Sequence, residues 1–133
     1  MKKVLTAGVF DYYHLGHLRL LKNAKKLGDH LIVAVQEEDC IKKTKPDADI
    51  MYSIEERIEM IEALRPVDEV ITYRDVDALV PCVDFDVFAV GEDQTHDGFL
   101  RAEKWCLDHG KEVVRLKRTP RISSSEIKKN ILV

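Results

Sequence analysis

Short apolar runs alternating with helix-period segments constrain this chain more than any other feature. Val4-Leu5-Thr6-Ala7, closed by Gly8, reads as a buried strand, and His30-Leu31-Ile32-Val33-Ala34-Val35 reads as a second. The second carries β-branched residues on both faces, as a parallel strand covered by helices on either side requires. Between them Leu18, Leu21, Ala24 and Leu27 recur at helical spacing with lysines opposite, and Gly28 is the expected C′ residue. The chain therefore opens on a β-α-β unit.

The pattern then repeats. After a polar, lysine-rich stretch from Glu37 to Ile50, Ser53-Ile54-Glu55-Glu56 has the spacing of a capping box. It opens a helix carrying Ile54, Ile58, Ile61 and Leu64, which Pro66 ends. Val67 to Thr72 is the third expected strand, Val76 to Val83 a short helix interrupted by Pro81, and Asp86 to Val90 a fourth strand ending at Gly91. Phe99 to His109 reads as a helix with Leu100, Trp105 and Cys106 inward and Gly110 as its stop. Glu112 to Leu116 is the fifth strand, and Ser123-Ser124-Ser125-Glu126 caps a last helix. The alternation predicts one α/β domain over residues 1–133, a Rossmann-like three-layer unit with a five-stranded parallel sheet in the order 3-2-1-4-5. Ligands of such sheets sit beyond the carboxyl ends of the strands where the order switches. Here that is between strands one and four, beside Gly8–His17 and Gly91–Gly98.

Composition narrows the classes of function. The chain has 133 residues, 45% hydrophobic and 34% charged, enough for a core without a disulfide or structural metal. A net charge of -3 argues against a nucleic-acid partner, whereas a mononucleotide needs only a local cluster of cations. Cys40, Cys82 and Cys106 form no CxxC pair, so they read as reduced thiols of a cytoplasmic protein. No apolar run is long enough to cross a membrane, and Met1-Lys2-Lys3 leads into a strand and a polar loop, unlike a signal peptide.

Gly8-Val9-Phe10-Asp11-Tyr12-Tyr13-His14-Leu15-Gly16-His17 runs from a strand into a helix N-terminus. A phosphate chain placed there meets free backbone N–H groups and the positive end of the helix dipole. Gly16 allows close approach where a Cβ would intrude. The imidazoles of His14 and His17, bracketing it, can both donate to phosphoryl oxygens as charge shifts in a transition state. Their plain structural alternative is capping or surface.

These residues resemble the signature of the HxGH nucleotidyltransferase superfamily. A second segment, Arg118-Thr119-Pro120-Arg121-Ile122-Ser123-Ser124-Ser125, is similar to the RTxGISTT element of its cytidylyltransferase branch. The likeness to the glycerol-3-phosphate cytidylyltransferase family covers nearly the whole chain, including Lys25, Leu27-Gly28-Asp29 and Val67-Asp68-Glu69-Val70. It implies that His14 and His17 stabilise a pentacoordinate α-phosphate of CTP while a small phosphorylated acceptor attacks in line and pyrophosphate leaves. Asp11 would support the catalytic site, and Mg²⁺ would bridge the nucleotide phosphates, held little by the protein. Gly8, Val9, Phe10, Gly16, Gly91, Asp93, Arg118, Ile122, Ser123, Ser124 and Ser125 would line the nucleotide. Lys42, Lys43, Lys45 and Arg57 would reach phosphate or acceptor. The structural alternatives are an N-cap for Ser123, a solvated loop for the lysines and a surface helix arginine for Arg57. The likeness at Arg65-Pro66-Val67-Asp68 implies a homodimer edge.

Gly91-Glu92-Asp93-Gln94 resembles the family's G-D-D element with Glu92 in place of the first acid. Val9 stands where that family has threonine and Arg121 where it has glycine, and Thr95 to Phe99 follows no glycerol-phosphate pattern. The departures fall near the acceptor and phosphate positions. Phosphoethanolamine, phosphocholine and a phosphonate therefore stay open beside glycerol 3-phosphate. An ATP-dependent adenylyltransferase of the same superfamily is the competing enzyme. A nucleotide-binding regulatory module without catalysis is the competing binder, and intact His14 and His17 argue against it.

Overall fold

In the computed structural model, residues 1–11, 15–38 and 51–117 are described. They form β1 (Lys3–Gly8), α1 (Leu15–Lys25), β2 (His30–Gln36), α2 (Ile54–Glu62), β3 (Glu69–Tyr73), α3 (Val76–Leu79), a 3-10 turn (Val80–Cys82), β4 (Val87–Gly91), α4 (Asp97–Asp108) and β5 (Glu112–Leu116). The five strands make one sheet in the order β3-β2-β1-β4-β5, every neighbouring pair parallel. The predicted α/β class and strand order are both present. The cap of a last helix at Ser123 lies outside the described residues, as does Cys40.

Each central strand buries both faces, so two cores flank the sheet. Leu5, Ala7, Ile32, Ala34, Phe88 and Val90 pack on one side with Val76, Val80, Phe85, Phe99, Ala102 and Cys106. Val4, Leu31, Val33, Val35, Val87 and Ala89 pack on the other with Leu21, Ala24 and Ile61. Alternation along a strand sends successive side chains to opposite layers, which is why these runs carry almost no polar residue.

The ends of the elements show where local chemistry governs. Ser53 Oγ accepts the N–H of Glu56 at 3.2 Å while Ser53 N–H donates to Glu56 Oε1 at 3.0 Å, a complete capping box. The helix stops at Glu62, short of Leu64 and Pro66. Gly110 has φ +74°, the left-handed stop expected of it. Gly28 serves a different purpose from the expected C′ turn. A Cβ there would lie 2.6 Å from the Lys2 carbonyl oxygen, so glycine is needed for close packing against β1. Leu100, expected inward, is exposed at 47%, because the buried stripe of α4 runs through Phe99, Ala102, Glu103 and Cys106.

Candidate active site

The sheet pairs β1 with β2 along its whole length, through Gly8↔Val35, and β4 with β5 through Gly91↔Leu116. Between β1 and β4 the register covers only Val4↔Val87 and Leu5↔Phe88. Beyond these pairs the two central strands diverge, and the chain leaves β1 toward α1 and β4 toward α4. This split lies at the switch in strand order, on the side where ligands of such sheets bind.

On the β1 side, Phe10 is buried and has φ +56°, an uncommon conformation for a bulky residue, costing on the order of 1 kcal/mol or more. Its ring lies over Gly8, where a Cβ would come within 3.1 Å of ring carbons Cε2 and Cζ. It also meets the His17 imidazole edge-on, centroids 5.5 Å apart at 71°. Gly8 and Phe10 together therefore fix the space in which His17, in the first turn of α1, stands. Gly16 lies in the same turn, beside His17.

Asp11 is 6% exposed, and its two carboxylate oxygens accept the N–H groups of Met51 and Tyr52 at 2.8 and 2.9 Å. Arg57 is fully buried, which removes the surface-arginine alternative. Its Nε donates to the Tyr52 carbonyl at 3.2 Å, and Nη1 to those of Val9 at 2.8 Å and Gln36 at 2.7 Å. Burial pushes its pKa down, while the charges of Asp11 and Glu38 act in the opposite direction. Among the described residues its buried Nη2 has no hydrogen-bond partner, and neither has Thr6 Oγ1. Asp11 and Arg57 thus tie the start of α2 to the ends of β1 and β2. The sequence held a signal for this: Arg57 stands three residues after Ile54 and four before Ile61, on the buried stripe of α2.

On the β4 side, Gly91 is buried and Asp93 is exposed. Asp93 Oδ1 stands 3.1 Å from where a Cβ of Gly91 would be, so a larger residue there would push the Asp93 side chain aside by a few tenths of an ångström. The Glu92 N–H donates to the Leu116 carbonyl at 3.0 Å, and the Gln94 N–H to that of Gly91 at 3.0 Å. His96 is exposed at the start of α4, its ring edge-on to Phe99 with centroids 4.7 Å apart. The structure brings Gly8, Val9, Phe10, Asp11, Gly16, His17 and Arg57 to the end of β1, and Gly91 and Asp93 to the end of β4. His14, Lys42, Lys43, Lys45, Arg118, Ile122, Ser123, Ser124 and Ser125 lie outside the described residues.

Among the described residues no group of three or more His, Cys, Asp or Glu side chains is arranged to hold a metal ion. None of the helices described there is long and apolar enough to cross a membrane.

Known proteins share this architecture and sequence. The cytidylyltransferase-like family model matches residues 5–130. Glycerol-3-phosphate cytidylyltransferase of Bacillus subtilis (strain 168) is 38% identical over 135 residues, covering 98% of each chain. FAD synthase of Ferroglobus placidus is 43% identical over 121 residues, 88% of this chain and 77% of that one. The solved structure of the lipopolysaccharide core biosynthesis protein from Thermoplasma volcanium GSS1 superposes with a TM-score of 0.76 at 31% identity, covering 90% of this chain and 98% of its own. With a strand-order switch flanked by His17 and the Gly91 turn, and a family match along nearly its whole length, the chain belongs to the cytidylyltransferase-like family and is a nucleotidyltransferase.

Proposed function

We propose that the protein transfers CMP from CTP to a small phosphorylated acceptor and releases pyrophosphate. The observation that carries this reading is the near-complete correspondence with a glycerol-3-phosphate cytidylyltransferase, 98% of each chain, together with the Arg118 to Ser125 element. In this reading the acceptor phosphate attacks the α-phosphorus while the imidazoles of His14 and His17 donate to its oxygens. No covalent enzyme intermediate forms, so catalysis is positioning plus charge stabilisation. The buried ring of Phe10 orients His17, and Asp11 and Arg57 hold the neighbouring backbone in place. Mg²⁺, when bound, neutralises phosphate charge. Asp11 already spends both carboxylate oxygens on backbone N–H groups, which fits an ion held mainly through the nucleotide. Pairing of two copies through Arg65 to Asp68 belongs to the same proposal, supported by the exposure of Arg65 beside the edge strand β3.

The 43% identity to an FAD synthase favours one competing reading, transfer of AMP from ATP to FMN. A grid of CTP, ATP, UTP and GTP against glycerol 3-phosphate, phosphoethanolamine, phosphocholine, a simple phosphonate and FMN separates the two. Pyrophosphate release with Mg²⁺ is expected to be fastest with CTP and one of the small acceptors. A site that hydrogen-bonds its proper acceptor rejects analogues lacking those groups by large factors, so one acceptor should stand out. Release from ATP with FMN alone would replace this reading with the competing one.

A further inference from the structure

Where β1 and β4 part, a side chain takes over from the backbone ladder. Gln94 Nε2 donates to the Ala7 carbonyl at 2.8 Å, and Gln94 Oε1 accepts the N–H of Gly91 at 2.9 Å. The two partners settle which end of the amide is which, because a carbonyl only accepts and an N–H only donates. The Gln94 amide therefore presents one donor and one acceptor across the gap, as a peptide unit of an intervening strand would. Ala7 lies two residues past the last β1–β4 pair, and Gly91 is the last residue of β4. On its other side the turn is pinned by backbone, through the Glu92 N–H on Leu116. Toward β1 it is pinned by the Gln94 amide.

We infer that Gln94 is a positioning residue: its side-chain amide bridges the diverging ends of β1 and β4, setting the width of the nucleotide crevice and the place of the Gly91–Asp93 turn. Neither composition nor periodicity marks it, since the contact with Ala7 spans 87 residues of sequence. The inference rests on the nucleotidyl-transfer reading for the ligand, but its geometry does not depend on which nucleotide is used.

Gln94→Glu keeps the shape, removes the donor and sets a carboxylate oxygen against the Ala7 carbonyl. Gln94→Met keeps the volume and removes both bonds. Steady-state kinetics are measured for CTP and ATP well below the melting temperature, with hydrogen exchange followed at the Gly91 amide. Both variants are expected to raise KM for the nucleotide that the wild type uses by about tenfold, with a much smaller fall in kcat. The Gly91 amide should exchange faster in Gln94→Met, which removes its acceptor, than in Gln94→Glu, which keeps one. Wild-type KM in a folded variant, or a lowered melting temperature with KM unmoved, would overturn the inference. Loss of the fold in both variants would also overturn it, since the role would then not be confined to the crevice. If the wild type uses ATP and not CTP, the proposed function fails. The Gln94 comparison is then read on ATP and decided there.

Discussion

Phe10 holds a backbone conformation that bulky side chains seldom adopt, and its ring is the surface against which His17 stands. Strain of this kind persists where the surroundings over-determine it, here Gly8 beneath the ring and the buried layer around it. A histidine held so is suited to a task that depends on direction. His17→Ala is expected to lower kcat by about 10²–10³ while changing KM for CTP far less, the pattern of a lost transition-state donor. Near-normal turnover would remove His17 from the mechanism. Arg57 is a different kind of residue, since three backbone carbonyls occupy two of its nitrogens. Lysine keeps the charge but offers a point rather than a fork. Arg57→Lys should therefore cost on the order of 2 kcal/mol in denaturant unfolding. Unchanged stability with a raised KM for the acceptor would instead place the guanidinium on the ligand.

Elements were legible in the sequence wherever one periodicity dominated. The β-branched runs gave all five strands, and the Ser53–Glu56 box gave the start of α2. What escaped was set by tertiary contact. Gly28 is fixed by the approach of Lys2, and Leu100 faces outward because Phe99 and Cys106 claim the inner stripe of α4. The buried Arg57 stood on a legible stripe, but a charge there is unreadable until its carbonyl partners are known. An ion pair joins the end of α1 to the residue that precedes β3. Asp68 pairs with Lys25 and also accepts the Leu31 N–H at 2.8 Å. Partial burial pushes the Asp68 pKa up, but Lys25, the Leu31 amide and His30 outweigh it and hold it below the usual 3.8. A depressed folded pKa stabilises above the unfolded value, and the gain is lost as pH falls through the folded one. Asp68→Asn should thus melt below the wild type at pH 7, and the gap should begin to shrink as pH falls past about 3.8 and close only beneath the lower folded value. A gap constant from pH 7 to pH 2 would exclude the ion pair as its source.

At the scale of the molecule, strand order makes the site. Crossing back over β1 to place β4 on its far side opens the sheet between them, and the two glycine-marked turns meet at that opening. The sequence located this place, because alternation gives the order and the order gives the switch. It left the acceptor open, because Val9, Glu92 and Arg121 depart from the glycerol-phosphate pattern where the acceptor and phosphates would be read. The relatives divide in the same way, one named for glycerol 3-phosphate and CTP chemistry and one for FAD. The measurement that bears most directly on the proposed reaction is the identity of the product. Purified protein is incubated with Mg²⁺, CTP and the acceptor that performs best in the grid, and pyrophosphate and nucleotide products are quantified by mass spectrometry. Pyrophosphate and a CMP–acceptor conjugate are expected in equal amounts, since one phosphoanhydride is broken and one is formed. Free CMP without a conjugate, or a conjugate formed from ATP and never from CTP, would contradict it.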